Sequence, residues 1–141
     1  MGNIPHSIHY KEAAKLVAVH NRTLLRHLNI ADAGVTPTVT VAAVKKAFGI
    51  QPSFLADYFA GRDRAVTTGE ALKALGMTYK QRHILWGGLQ KPIAIWGEYG
   101  HAARRYSAKA LGLMPQPLQI EVANQDALFR DSLSFGGKVA A

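Results

Sequence analysis

Three short runs of the chain combine positive charge with hydrogen-bonding side chains at close spacing. They are Asn21-Arg22-Thr23 with Arg26, Thr78-Tyr79-Lys80-Gln81-Arg82, and Arg104-Arg105-Tyr106. Arginine, glutamine and asparagine can make paired hydrogen bonds to a guanine or adenine edge, whereas lysine and threonine suit a phosphate oxygen. By that chemistry Asn21, Arg22, Gln81 and Arg82 are the base-reading candidates, and Thr78 and Lys80 the phosphate-contacting ones. Thr23, Arg26 and Tyr79 lie on the same runs. Arg104 and Arg105 are neighbours on an expected strand, where side chains alternate, so only one of them faces a given partner.

Other chemistries find less support. The nine carboxylates are scattered, with no paired acids, serine elbow or phosphate loop, so no enzymatic reaction is expected. His6 with His9, and His20 with His27, are close in sequence. No carboxylate or cysteine completes a ligand set beside them, so neither a metal nor another cofactor is expected. The lack of cysteine excludes disulfides and thiolate zinc sites.

Charge points to the class of partner. The 141 residues hold 17 Lys and Arg against 9 Asp and Glu, a net charge of +8. Residues 1–112 hold 15 of the basic and 6 of the acidic side chains, so the excess lies entirely before the last 29 residues. A polyanion is the expected partner. Hydrophobic residues make up 48% of the chain, enough to bury a core. The longest apolar runs fall short of a membrane span, and Met1-Gly2-Asn3-Ile4-Pro5-His6 lacks the basic and apolar regions of a signal peptide. The expectation is a cytoplasmic, nucleoid-associated protein with no membrane contact.

The elements that position these residues centre on 67–111. Ala71, Leu72 and Leu75 recur at helical spacing, the pattern breaks at Gly76-Met77, and a basic helical run resumes over 78–86. After Gly87-Gly88 and Pro92, two strand-like runs, 93–96 and 103–106, flank Gly97-Glu98-Tyr99-Gly100. A helix-turn-helix followed by a hairpin is a winged unit. The order of Glu70-Ala71, Leu75-Gly76-Met77, Leu89 with Lys91-Pro92, and Arg104-Arg105-Tyr106-Ser107 resembles the winged helix-turn-helix of mercury-resistance-type regulators and of phage excisionase and small-terminase DNA-binding domains. The resemblance implies double-stranded DNA as partner, the second helix as reader, and Arg105 and Tyr106 as anchors on the nucleic-acid backbone.

An internal repeat extends the pattern. Glu12, Ala13 and Lys15 stand 58 residues before Glu70, Ala71 and Lys73, which places Ala18-Val19 where Gly76-Met77 stands later. Ala18 must then avoid a left-handed turn or accept strain. A third unit is expected over 39–59, where Gly49-Ile50-Gln51-Pro52-Ser53-Phe54-Leu55 resembles the helix-turn-helix of small phage repressors. Lys45 stands where such motifs usually bury a small residue, and DNA contact and scaffolding both remain open for this pair.

The expected fold is mainly α: two or three helix-turn-helix units with a small β-hairpin wing. The units are 1–36, 37–60 and 61–112, with 60–64 as linker and 113–141 as a weakly structured tail. The expected function is sequence-specific binding of double-stranded DNA by a transcription regulator of a phage, plasmid or other mobile element, with self-association as a further possibility. An architectural role in recombination or DNA packaging, and a protein-interaction adaptor, are the alternatives.

Overall fold

The computed structural model describes residues 3–34 and 37–115. Of the tail expected over 113–141, residues 116–141 lie outside the described residues. Three times the chain runs three extended residues straight into a helix. Strand β1 (Ser7–His9) leads into α1 (Tyr10–Leu16), β2 (Thr38–Thr40) into α3 (Val41–Phe48), and β3 (Ala65–Thr67) into α5 (Thr68–Ala74). The last strand residue is the helix cap each time. His9 Nδ1 accepts from the Lys11 N–H at 3.1 Å, and Thr40 Oγ1 from the Ala43 N–H at 3.2 Å. Thr67 Oγ1 accepts from the Glu70 N–H at 3.3 Å while the Glu70 carboxylate accepts from the Thr67 N–H at 3.1 Å, which satisfies two end donors reciprocally.

Nine positions beyond each cap the backbone turns left-handed, at Ala18 (φ 54°), Gly49 (φ 59°) and Gly76 (φ 68°). The next residues, Val19, Ile50 and Met77, pack into the interior. The residues after those, His20, Gln51 and Thr78, open the second helices. These are α2 (Asn21–His27), α4 (Pro52–Phe59) and a composite third one. The composite helix is a 3₁₀ turn (Tyr79–Gln81), a short α6 (Arg82–Ile84) and a π-helical turn (Leu85–Leu89).

The mainly α expectation is corrected by these strands. The described residues form six helices and five strands in two small sheets, 43% helix and 19% strand, which is a mixed α and β fold. Three-residue strands are too short for the alternation of faces to show in sequence. Helix α1 starts only at Tyr10, and the third expected unit, placed over 39–59, begins its helix at Val41, because the residues before each pair as strands.

Strands β1 and β2 pair antiparallel as one sheet. The other has the order β3-β5-β4, where β4 (Ala94–Glu98) and β5 (His101–Ser107) form the hairpin. Tyr99 (φ 50°) and Gly100 (φ 82°) make its two-residue turn, whose twist matches that of the flanking strands. This sheet is the wall between two cores. Ala65, Ala94 and Trp96 join Leu16, Val17, Leu24, Val44 and Phe48 on one side. Val66 and Tyr106 join Ala71, Leu72 and Leu85 on the other. Adjacent residues serve different cores because side chains alternate across a strand.

The segment 60–64, expected as a linker, is pinned at this wall. Asp63 is buried and accepts from the Ser107 hydroxyl at 2.5 Å, the Arg64 N–H at 2.8 Å and the Lys109 N–H at 2.9 Å. No helix among the described residues is long and apolar enough to cross a membrane.

Candidate nucleic-acid interface

The composite helix begins with a cap of its own. The Thr78 N–H donates to Gln81 Oε1 at 2.8 Å. From there Tyr79, Arg82 and Trp86 follow at spacings of three and four, which stack side chains on one helical face. The Arg82 guanidinium lies 4.5 Å from the Tyr79 ring centroid and 5.6 Å from that of Trp86. Arg104, from the middle of β5, lies 4.9 Å from the Trp86 centroid. Trp86 Nε1 donates to Thr68 Oγ1 at 3.2 Å, fixing the indole to the start of α5.

Tyr79, Arg82, Trp86 and Arg104 thus form a ladder of alternating ring and cation. Tyr79 is 62% exposed and Trp86 38%. Each guanidinium is held by a π face, which leaves its N–H groups for hydrogen bonding. Arg82 commits one of these to the Tyr79 carbonyl at 3.0 Å. Lys80 is exposed beside the ladder and has no ion-pair partner among the described residues. A cleft lined by Thr67, Thr68, Gly69, Tyr79, Trp86 and Arg104 runs along it.

Three site residues take other roles than the sequence suggested. Gln81 has its amide oxygen engaged as a cap, so a paired contact to adenine, which needs that oxygen and the NH₂ together, is closed to it in this geometry. Arg105 points to the opposite face of β5 from Arg104. Its fork donates to the Val17 carbonyl at 2.9 Å and the Ala18 carbonyl at 3.2 and 3.3 Å, and to Arg104 O at 2.8 Å, over the Trp96 ring. Burial lowers its pKa from the usual arginine value, while the carboxylates of Glu98 and Glu70 push the other way. Tyr106 is 1% exposed, with no hydrogen-bond partner for its hydroxyl among the described residues. Burial raises its pKa. Tyr106 therefore stands inside the molecule, and Arg105 is half-buried with its guanidinium committed to the turn after α1.

The first unit meets the hairpin at its tip. Arg26 pairs with Glu98 at 2.9 Å and covers the Tyr99 ring at 5.0 Å. Arg22 is exposed, and Asn21 and Thr23 are half-buried. The hairpin so links both candidate runs, Arg104 meeting Trp86 along its length and Glu98 meeting Arg26 at its end.

The second unit packs. Phe54 and Leu55 of α4 are buried, and α4 carries no lysine or arginine. Asp57 pairs with Lys109 at 2.6 Å and Arg62 at 3.4 Å, and the Lys109 ammonium is the main reason its carboxyl titrates below the usual range. The Tyr58 hydroxyl donates to Glu12, and burial first, then that carboxylate, push it above the usual tyrosine value. Lys45 is exposed.

The histidines are distributed through the scaffold. His9 and His20 cap α1 and α2, His27 Nε2 meets the Ala47 carbonyl at 3.1 Å, and His83 Nδ1 meets that of Lys80 at 3.2 Å. Aromatic area dominates small cores, so both tryptophans are expected inside. Trp96 is there, but Trp86 is a surface rung, and the signal was its place four residues after Arg82. No protein-family model, curated protein or solved structure matches the chain.

Proposed function

We propose that the protein binds double-stranded DNA and discriminates among base sequences, as a transcription regulator of a phage, plasmid or other mobile element would. The observation that carries this reading is the ladder of exposed Tyr79 and Trp86 with half-buried Arg82 and Arg104, on the second helix of a helix-turn-helix and the strand beside it. That helix is the element such motifs place in the major groove. Arg82 is the base-reading side chain, and Lys80, Thr78 and Arg104 meet phosphate. In the first unit Arg22 adds charge, with Asn21 and Thr23 beside it, while Arg26 holds the hairpin tip. An architectural role in recombination or packaging would use the same face. The first two units already pair within one chain, so a homo-oligomer is not required for a site longer than one module.

A protein-interaction adaptor is the second reading, favoured by the exposure of Ile84 (44%), Leu89 (51%) and Ile95 (43%). Salt separates the two. Titration of a labelled duplex at several salt concentrations should give a logarithmic affinity falling linearly with the logarithm of salt, because phosphate contacts release counterions. Duplex affinity that is absent at low salt, or flat with salt, would leave the adaptor reading in its place.

A further inference from the structure

The strands that open the first two units are related by a local pseudo-two-fold axis. Ser7 lies opposite Thr40, Ile8 opposite Val39 and His9 opposite Thr38. The units repeat at 31 residues, so that Ser7 corresponds to Thr38, Ile8 to Val39 and His9 to Thr40. Exchanging the strands therefore maps the register onto itself. The flanking bonds exchange too: the Tyr10 N–H donates to the Pro37 carbonyl at 2.9 Å, and the Val41 N–H to the His6 carbonyl at 3.0 Å.

The ribbon has an inner and an outer face. Ile8 and Val39 point into the larger core. Ser7, His9 and Thr38 are exposed and Thr40 is partly so, which puts four hydrogen-bonding side chains outward. No third strand pairs with the ribbon among the described residues. His9 and Thr40 use acceptor atoms as helix caps, which leaves the His9 Nε2 and the Thr40 hydroxyl proton available. Neither strand contains a carboxylate. His6 and Lys45 share a cleft at one side, and exposed Lys11 follows His9 on α1.

We propose that this ribbon is a second DNA-reading element, which lays Ser7, His9, Thr38 and Thr40 against base edges in the major groove. The inference rests on the duplex-binding reading above. The major groove admits a two-stranded ribbon as well as a helix, hydroxyl groups can meet any base's donors or acceptors, and a two-fold reader is matched by a two-fold site. Basic residues at the ribbon's flanks and none of the opposite sign on it fit a polyanion. The ribbon's preferred sequence is therefore an approximate palindrome, distinct from the base contacted by Arg82.

Selection of duplexes from a random pool by the full chain tests this, run beside the Ser7→Ala, Thr38→Ala double variant and Arg82→Ala. Ser7 and Thr38 are exposed and hold no side-chain hydrogen bond among the described residues, so the double variant should retain the native circular dichroism spectrum. The expected result is a loss of about tenfold discrimination at two dyad-related positions. Arg82→Ala should relax a different position. If the double variant selects the wild-type sequence at wild-type affinity while Arg82→Ala is weakened, the ribbon is overturned and duplex binding stands. If the wild-type chain enriches no duplex, both readings fall together.

Discussion

Removing the Arg105 side chain should unfold the protein more easily and leave the salt dependence of DNA binding unchanged. Its guanidinium closes α1 by binding the carbonyls of Val17 and Ala18, where the chain takes its left-handed turn at Ala18. Charged hydrogen bonds of this kind are worth about 1.5–3 kcal/mol, so Arg105→Ala should lower unfolding stability by about that much in urea denaturation. Arg105→Lys should recover little, since a single ammonium cannot reproduce the planar fork. Stability unchanged in Arg105→Ala, with a shallower salt slope, would return Arg105 to the contact surface. Tyr106→Phe makes the complementary case. The hydroxyl is buried without a partner among the described residues, so its removal should be neutral or stabilising by about 1 kcal/mol, with DNA affinity unaltered. A weakened complex in that variant would mean that Tyr106 reaches DNA after all. The sequence could show that Arg104 and Arg105 face opposite ways, because alternation is a local property. Which of the two turns toward the carbonyl of Ala18 depends on the turn after α1, 87 positions earlier in the chain, and no local pattern carries that.

The turns shared by the three units make a controlled comparison at the scale of elements. Gly49 and Gly76 have nearly the same positive φ, but a Cβ on Gly49 would come within 2.4 Å of the Ile95 carbonyl oxygen, and one on Gly76 would meet nothing within 4 Å. Gly76→Ala should therefore cost only the left-handed penalty of about 1 kcal/mol, and Gly49→Ala well over ~2 kcal/mol. Equal losses in thermal unfolding would show that β4 does not press on the second turn. Ala18→Gly should be neutral or stabilising by about 1 kcal/mol, because it relieves the strain that Ala18 accepts. The turns were legible because Gly76-Met77 and Gly49-Ile50 punctuate helical periodicity. The strands Ser7–His9, Thr38–Thr40 and Ala65–Thr67 were not. Each is a half-turn of pattern at the edge of a helix, and what makes it a strand is its pairing partner elsewhere in the chain.

For the whole molecule, the sheet shared by the two cores predicts one cooperative unfolding transition, seen alike by circular dichroism and tryptophan fluorescence. A fragment of residues 61–112 would uncover Ala65 (6% exposed), Ala94 (1%) and Trp96 (5%), and should fail to fold although it contains α5, the composite helix and the whole hairpin. Two separated transitions, or a folded fragment, would mean that the cores are independent. Charge and motif order alone carry the expectation of DNA and the choice of the runs at 78–82 and 104–106. The ladder through Trp86 needed the fold, since Arg104 reaches the indole only once β5 lies beside the composite helix. The most direct measurement of the central claim is the affinity of Arg82→Ala, confirmed as folded, for the duplex the wild-type chain prefers, at one fixed salt concentration. Loss of a base contact predicts a complex weaker by about 1–3 kcal/mol, with preference relaxed at a single position. Wild-type affinity together with the wild-type preferred sequence would contradict it.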